Sequence, residues 1–398
     1  MYFSSLRIHQ FRCYAEQQID FSPGANTFIG SNGQGKTSVL EAVGVLASLK
    51  SFRGGASSDL LKYDTVGPAI CEGTLVINGL EHSLSVKLAD GKRSISINKK
   101  NCSSLSHYLK KVVSVAFSPA DLDIITRNPE GRRAWLDQLI VRLDPEFLEI
   151  LRRFKKVLEH RNRLLREISR GLTNTSIYDQ LALWTDEFLL LAAKVIHRRV
   201  KTVDNSVDNF AFYYQLIAEG CSYKGVSLIT EKTDKFTSLN RLNRVTLFYQ
   251  SKLAELDQEL LNHSNDSSEE LILQVLKRQY KSMAKKEQIA GTSLFGPHRD
   301  DVAFHLNGYI LVNTASQGEI RSAALALRLT EVELVKNQHQ QKPIILIDDF
   351  SSELDAKRRS FLLDYLLNSP SQIFLTTTED IEFGKKFRVS NASVSCFT

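Results

Sequence analysis

Gly30-Ser31-Asn32-Gly33-Gln34-Gly35-Lys36-Thr37-Ser38 follows the short apolar run Thr27-Phe28-Ile29 and opens into Val39-Leu40-Glu41-Ala42-Val43-Gly44-Val45-Leu46, which has helical character. A strand, a glycine-rich loop spelling G-x-x-x-x-G-K-T and a helix, in that order, are the parts of a P-loop. The glycines let successive backbone N–H groups turn inward into a concave anion site, and the helix N-terminus adds positive potential. Lys36 is expected to reach terminal phosphates and the Thr37 hydroxyl to be a ligand of Mg²⁺. The stretch therefore predicts binding of a nucleoside triphosphate.

A P-loop needs an acidic partner for its metal. Pro343-Ile344-Ile345-Leu346-Ile347-Asp348-Asp349 supplies one, as a buried-strand run ending in two carboxylates. Asp348 is expected to hold Mg²⁺ directly or through water, and Asp349 to act as general base on the attacking water. The spacing is informative: 312 positions separate Lys36 from Asp348. That exceeds the needs of a compact GTPase or kinase core and predicts a split ATPase around an inserted segment. Before the acidic strand, Ala315-Ser316-Gln317-Gly318-Glu319-Ile320-Arg321 leads into the helical run Ala323–Leu329. Ser316, Gln317 and Gly318 at a helix N-terminus offer a hydroxyl, backbone N–H groups and the helix dipole. A nucleotide held between the P-loop of one copy and this surface of another would join a head-to-tail pair.

The inserted region has a different pattern. Phe147, Leu151, Phe154, Leu158, Leu165, Ile168 and Leu172 follow an alternating four-and-three spacing broken once by Arg161, and Ile177, Leu181, Trp184, Phe188, Leu191 and Val195 repeat it after a polar loop at Asn174. Such seams predict two antiparallel helices forming a stubby coiled arm. A third helix is expected over Val203–Ile217, a strand over 223–231, and helices over 240–261 and 268–289. The outer face of the first arm helix carries Arg152, Arg153, Lys155, Lys156, Arg161, Arg163, Arg166 and Arg170, and Lys277, Arg278, Lys281, Lys285 and Lys286 form a second basic cluster. A basic helix face is either a solvated surface or a track for a phosphate backbone, which would bind DNA without sequence preference. Between the P-loop helix and the arm, alternation over 70–98 with Asn78-Gly79 and Asp90-Gly91 turns predicts an antiparallel meander, and Val112–Phe117 a buried strand.

At 398 residues, with 42% apolar and 24% charged side chains, the chain has room for several domains with sizeable cores. A net charge of +6 permits nucleic-acid contact without requiring it. Cys13, Cys71, Cys102, Cys221 and Cys396 are scattered, with no C-x-x-C, which argues against a disulfide framework or zinc site. No leader and no run of about eighteen apolar residues is seen, so a cytoplasmic protein with no membrane partner is expected.

Several of these stretches carry a resemblance. The P-loop, Ser316-Gln317-Gly318-Glu319, Asp348-Asp349 and Ser352-Glu353-Leu354-Asp355 resemble the ABC-type ATPase heads of the SMC group. More narrowly the chain resembles the RecF family of bacterial recombination-repair proteins, nearly end to end. Supporting stretches are Phe11-Arg12-Cys13-Tyr14, Phe117-Ser118-Pro119-Ala120-Asp121-Leu122, Arg132-Arg133 with Leu136-Asp137, Gly296-Pro297-His298-Arg299-Asp300-Asp301, and Thr376-Thr377-Thr378. The resemblance implies an α/β fold: an ABC-type P-loop ATPase head with an antiparallel β subdomain and an inserted, mainly helical arm. The expected divisions are an N-lobe over 1–125, the arm over 126–289 and a C-lobe over 290–398.

It also implies an ATP-dependent DNA-binding clamp of recombinational repair. The family binds ATP and Mg²⁺, dimerises on ATP, engages single-stranded or gapped DNA and junctions, and hydrolyses ATP slowly to let go. With RecR and RecO it assists RecA loading, supporting replication restart and the SOS response, so nucleoid association is implied when active. Carried over by position, Gly30, Ser31, Asn32, Gly33, Gln34, Gly35, Lys36, Thr37 and Ser38 bind ATP; Ser316, Gln317 and Gly318 meet the partner's nucleotide. Thr37 and Asp348 hold the metal, Lys36, Asp348 and Asp349 act in the slow hydrolysis, and Asp355 lies at the dimer seam. Arg152, Arg153, Lys155, Lys156 and Arg163 are the candidate DNA contacts.

Ile320 replaces the family's usual glutamine and Cys13 a common asparagine; the first is expected to weaken signature contacts or DNA coupling. A transporter-type ATPase subunit is disfavoured by the long insertion, the basic arm and the absence of a histidine after the acidic strand. A short SMC-like structural protein would need longer coils. A metabolite kinase would leave Ser316–Gly318 without a task.

Overall fold

The computed structural model describes residues 1–55, 57–62, 67–89, 91–172, 174–220, 245–252, 268–350 and 355–397. The expected strand over 223–231 and Ser352-Glu353-Leu354 lie outside them. The principal helices, in chain order, are α1 (Lys36–Ser48), α2 (Pro129–Leu143), α3 (Phe147–Ser169), α4 (Thr175–Glu219), α5 (Glu269–Ala290), α6 (Gln317–His339) and α7 (Ala356–Leu367). The chain forms two compact units, one of Met1–Asp123, Asn209–Val245 and Thr314–Thr398, the other of Ile124–Asp208 and Thr246–Asn313.

The first unit holds two six-stranded sheets. One is antiparallel, ordered β2-β1-β4-β5-β6-β7, with β1 Tyr2–Phe11, β2 Tyr14–Asp20, β4 Ala69–Ile77, β5 Leu80–Ala89, β6 Lys92–Ile97 and β7 Lys100–Asn101. It contains the expected meander; Asn78 (φ 50°) and Gly79 (φ 80°) both take the left-handed conformation of a type I′ turn. The other sheet is ordered β15-β14-β3-β13-β12-β8, with β3 Ala25–Ile29, β8 Ser114–Phe117, β12 Ile344–Ile347, β13 Ile373–Thr377, β14 Lys385–Ser390 and β15 Ser393–Phe397. Strands β8, β12, β13, β3 and β14 run parallel. The wholly apolar sequence of β12 follows from burial on both faces.

Helix α1 packs against strands of both sheets. This explains why it is apolar almost all round, with Val39 to Ala47 buried without a break. At Gly44 a Cβ would meet the Phe52 ring at 3.1 Å and Leu346 at 3.3 Å, so glycine sets the depth of packing. Glu41, fully buried, is neutralised by Arg12, whose Nε and Nη2 donate to its two oxygens at 2.7 Å each.

The second unit is mainly helical. Leu164, Leu165 and Ile168 of α3 pack on Leu181 of α4, flanked by Ile177 and Trp184. Phe154 stacks on Phe188 and His160 on Trp184, at ring-centroid separations of 5.7 and 4.7 Å. The expected seam residues thus do meet. Leu172, at its end, is 58% exposed.

Four expectations are corrected. The third helix is a continuation of α4, which runs unbroken from Thr175 to Glu219. The expected helix over 240–261 includes a strand, β9 (Val245–Gln250), which joins β10 (Asp301–Leu306) and β11 (Tyr309–Ile310) in the order β11-β10-β9. Arg161 does not lie on the outer face. It is fully buried because α5 packs against α3 there: its Nη2 pairs with Glu287 at 2.6 Å, Nη1 donates to Ser293 Oγ at 2.6 Å and Nε to Thr185 Oγ1 at 3.0 Å. Finally, the divisions at 125 and 289 differ from the units. Residues 290–313 group with the helical unit because β10 packs against α2. The other expected C-lobe strands complete the sheet that contains β3.

Candidate nucleotide-binding site

Because β3, β13 and β12 are neighbours, the loops leaving their C-terminal ends converge. This brings Thr37 and Asp348 together across the whole insertion: Thr37 Oγ1 donates to Asp348 Oδ1 at 2.8 Å. Thr376 Oγ1, from β13, donates to the same oxygen at 2.8 Å and accepts the Asp349 backbone N–H at 2.8 Å. Asp349 sits at φ 54°, a left-handed conformation costly for a residue with a Cβ, which turns the chain sharply at the strand end. Burial raises the Asp348 carboxyl above its usual range, while the Thr37 and Thr376 hydroxyls oppose the shift by bonding the ionised form.

Lys36 is 8% exposed, and its Nζ donates to the carbonyls of Gly30 and Ser31 at 2.5 and 2.9 Å, bridging the loop. Burial lowers its pKa, and Asp349 and Asp348 partly restore it. Two of the loop glycines are required sterically. A Cβ on Gly30 would lie 2.3 Å from the Val389 carbonyl oxygen, and one on Gly35 (φ 106°) 2.9 Å from both Cys13 Sγ and Tyr14 Oη. Gly35 is the N-cap of α1 and supplies no side-chain acceptor, so the first N–H groups of that helix are not closed off by a cap. Ser31, Asn32, Gly33 and Ser38 complete the loop.

The loop has support that sequence inspection missed. Gln34 is held by the turn between β14 and β15: the Asn391 N–H donates to its Oε1 at 2.5 Å and the Ala392 N–H to its carbonyl at 3.2 Å. The Tyr14 hydroxyl donates to the Gly35 carbonyl at 3.2 Å. No local pattern announces a partner more than 350 positions away.

Ser316 is the N-cap of α6. Its Oγ accepts the Glu319 N–H at 3.3 Å, and Glu319 Oε2 accepts the Ser316 N–H at 2.7 Å, a reciprocal capping box. Ser316 and Gln317 are exposed, whereas Ile320 is 4% exposed and faces the core. Ile320 therefore packs inward and does not belong to the exposed surface that Ser316 and Gln317 present. Asp355 caps α7, accepting the Arg358 N–H at 2.9 Å. Arg358, another residue missed from sequence, bonds the Asp355 carboxylate, Ser322 Oγ (2.9 Å) and the Gly318 carbonyl (2.7 Å), tying the two motifs together.

Among the candidate DNA contacts, Arg152, Arg153, Lys155, Lys156 and Arg163 are all exposed. Arg153 pairs with Glu187 at 2.5 Å. The cluster Lys277, Arg278, Lys281, Lys285 and Lys286 on α5 is also exposed. No described helix is long and apolar enough to cross a membrane.

Residues 2–391 match the family described as the RecF/RecN/SMC N terminal domain. The chain is 31% identical over 379 residues to the DNA replication and repair protein RecF of Lactobacillus johnsonii, covering 95% of this chain and 93% of that one. It is 32% identical over 375 residues to RecF of Myxococcus xanthus, covering 94% and 90%. A solved structure of the recombination mediator protein RecF with ATP, from the RecFOR pathway, superposes with a TM-score of 0.85 at 26% identity, over 100% of this chain and 98% of that one. An Smc head bound to the C-terminal winged-helix domain of ScpA superposes with a TM-score of 0.51 at 15% identity, covering 100% and 97%, and shares the fold. The α/β ABC-type head with its antiparallel subdomain is thus the fold of this chain.

Proposed function

The chain belongs to the RecF/RecN/SMC N-terminal domain family, and within it to the RecF proteins of DNA replication and repair, and from that premise we propose that it is an ATP-gated DNA-binding clamp of recombinational repair. The observation that carries this reading is the 2.8 Å hydrogen bond from Thr37 to Asp348, which joins the P-loop to the acidic strand across the inserted arm.

The donor set suits the expected cofactors. The uncapped start of α1, the glycines at 30 and 35 with no room for a Cβ, and the buried Lys36 ammonium suit a triphosphate. One hydroxyl and one carboxylate suit Mg²⁺, which keeps several waters and takes the rest of its ligands from phosphate oxygens. When bound, the metal would neutralise charge on the phosphates. Residues 30–38 hold the triphosphate, Thr37 and Asp348 hold the metal, and Lys36 places positive charge at the terminal phosphate. Asp349, steered by the Thr376 hydroxyl, orients a water and accepts its proton. A single carboxylate with no imidazole partner in the motif suits slow hydrolysis, serving release of DNA rather than metabolism.

Ser316, Gln317 and Gly318 face the nucleotide of a second copy in this reading, with Asp355 beside them at the seam. The clamp takes single-stranded, gapped or junction DNA. It works with RecR and RecO to assist RecA loading in the cytoplasm at the nucleoid, in support of replication restart and the SOS response. The basic face of α3, including Arg152, Arg153, Lys155, Lys156 and Arg163, is the proposed backbone contact, worth most at low salt.

The test is sedimentation with ATP and Mg²⁺, paired with binding to gapped and blunt duplexes. ATP should convert the wild type to a dimer and tighten binding to gapped DNA; Lys36→Met should do neither. A wild type that stays monomeric with ATP, or binds DNA equally without it, would defeat the clamp.

A further inference from the structure

The Gly296–Asp301 loop takes no part in the nucleotide site. It lies wholly in the second unit, where it forms one wall of an open cup of about 490 Å³ with the start of α2 and Lys252. The cup is rigid. Arg199 donates to the Pro297 carbonyl at 2.5 Å while paired with Asp137, and Arg132 grips both carboxylate oxygens of Asp301 at 2.8 and 2.6 Å. Fully buried Asp300 accepts the Tyr249 hydroxyl at 2.6 Å and the Lys252 N–H at 3.2 Å.

The cup's lining is cationic. Arg133 uses Nη1 on the Asp300 carbonyl (2.6 Å) and Arg299 uses Nε on the Ser293 carbonyl (2.8 Å). The remaining guanidinium N–H groups of both, and the ammonium of exposed Lys252, have no hydrogen-bond partner among the described residues. One acid, exposed Glu130, stands on the rim. The start of α2 is already closed by Asn128, whose Oδ1 accepts the Gly131 N–H at 3.2 Å, so the helix end is not the attraction. His298 Nδ1 is buried without a partner while Nε2 faces the Ser293 carbonyl at 3.3 Å. Two guanidiniums with spare N–H groups and an ammonium lining one concavity suit an anion, and guanidinium forks match phosphate geometry.

We propose that this cup, formed by Arg133, Arg299 and Lys252 around His298, binds a phosphate group of a nucleic-acid strand. It is an anchor whose loop is held by its own side-chain bonds, distinct from the exposed cations of the arm. The assignment rests on the DNA-binding reading above. A backbone phosphate seats between the two forks, Lys252 closes over it, and Glu130 opposes it.

Lys252→Gln and Glu130→Gln test this without touching the bonds that hold the loop, since neither side chain supports it. The measurement is fluorescence anisotropy of a single-stranded oligonucleotide and a gapped duplex across a sodium chloride series. Lys252→Gln should weaken binding roughly three- to tenfold at low salt and reduce the magnitude of the log–log salt slope by about 0.7 to 0.9, the loss of one phosphate contact. Glu130→Gln should tighten it, a change of opposite sign that a folding defect cannot mimic. If the wild type binds DNA with a salt slope that neither variant alters, the cup is refuted and the DNA reading survives. If the wild type does not bind DNA, both fall. If millimolar inorganic phosphate raises the melting temperature of the wild type and not of Lys252→Gln, while DNA affinity ignores Lys252, the cup is a free-anion site and the nucleic-acid assignment is overturned.

Discussion

Arg358→Gln should uncouple the Ser316–Gly318 surface from Asp355 and so weaken the ATP-dependent dimer while leaving ATP binding by a single copy intact. In the structure one guanidinium serves the Asp355 carboxylate, the Gly318 carbonyl and Ser322 Oγ, and Ser322 is 2% exposed. Glutamine is too short to serve all three. A buried polar group stripped of its partner costs about 1–3 kcal/mol. Ser322 repacks within α6, but the Gly318 carbonyl then has to be re-ordered each time a partner's nucleotide docks, at about 1 kcal/mol. A two-fold symmetric pair uses the surface twice, so about 2 kcal/mol is lost from association, close to thirtyfold in the dimer constant. Sedimentation velocity over a concentration series with ATP and Mg²⁺ reads this directly, and titration of a fluorescent ATP analogue into dilute monomer supplies the control. A dimer constant within threefold of wild type would refute the reasoning. So would an equal loss of nucleotide affinity in the monomer, because among the described residues no hydrogen bond or ion pair links Arg358 to the P-loop.

Three other outcomes are expected. Asp349→Asn should slow ATP hydrolysis by roughly 10² to 10⁴ and leave the ATP-bound dimer standing on sizing columns; hydrolysis at the wild-type rate would remove Asp349 as the base. Arg161→Met strands the Glu287 carboxylate in the interior and should cost about 3–5 kcal/mol in chemical denaturation. Adding Glu287→Met should restore much of that stability, and a double variant as unstable as the single would refute the charge argument. Burial lowers His298 to about 4, so it stays neutral in the fold while the unfolded chain protonates near 6.5. The stability this confers is complete above about pH 6.5 and is lost as pH falls toward 4, roughly 3 kcal/mol in all. His298→Gln should flatten that part of the stability profile, and an unchanged profile would show that His298 is not responsible.

Contiguity governed what could be read in advance. The loop at 30–38 and the strand at 344–349 announce themselves because their physics is local: glycines at fixed offsets, an apolar run, a terminal carboxylate. Ser316 was legible as a cap with Glu319 three residues on. Arg358 and the Asn391 turn were not, since each acts on a group contributed from elsewhere in the fold; Thr376 stood in a legible motif, but its bond to Asp348 did not show. Arg161 misled for the opposite reason. Its charge suggested the outer face although it falls at a seam position, and it is Glu287 of α5 that lets a guanidinium be buried there. The strand Val245–Gln250 was hidden in a helical reading of the surrounding residues, although Val245 and Leu247, both buried, carry the period of two that marks it. Asn78-Gly79 was predictable because a type I′ turn needs two residues that tolerate positive φ.

The strand that delivers the P-loop, β3, has β13 and β14 as its two neighbours in the sheet, and both are made from residues past 370. During synthesis, residues 25–38 leave the ribosome with nothing to pair against, and roughly 340 further residues must follow before the sheet can close. Such non-local pairing is slow, and it leaves apolar strand edges uncovered while it waits. It also ties the nucleotide loop to the last residues of the sheet. A truncated product lacks the flanks of β3 and the turn that grips Gln34, so it cannot shape a nucleotide loop.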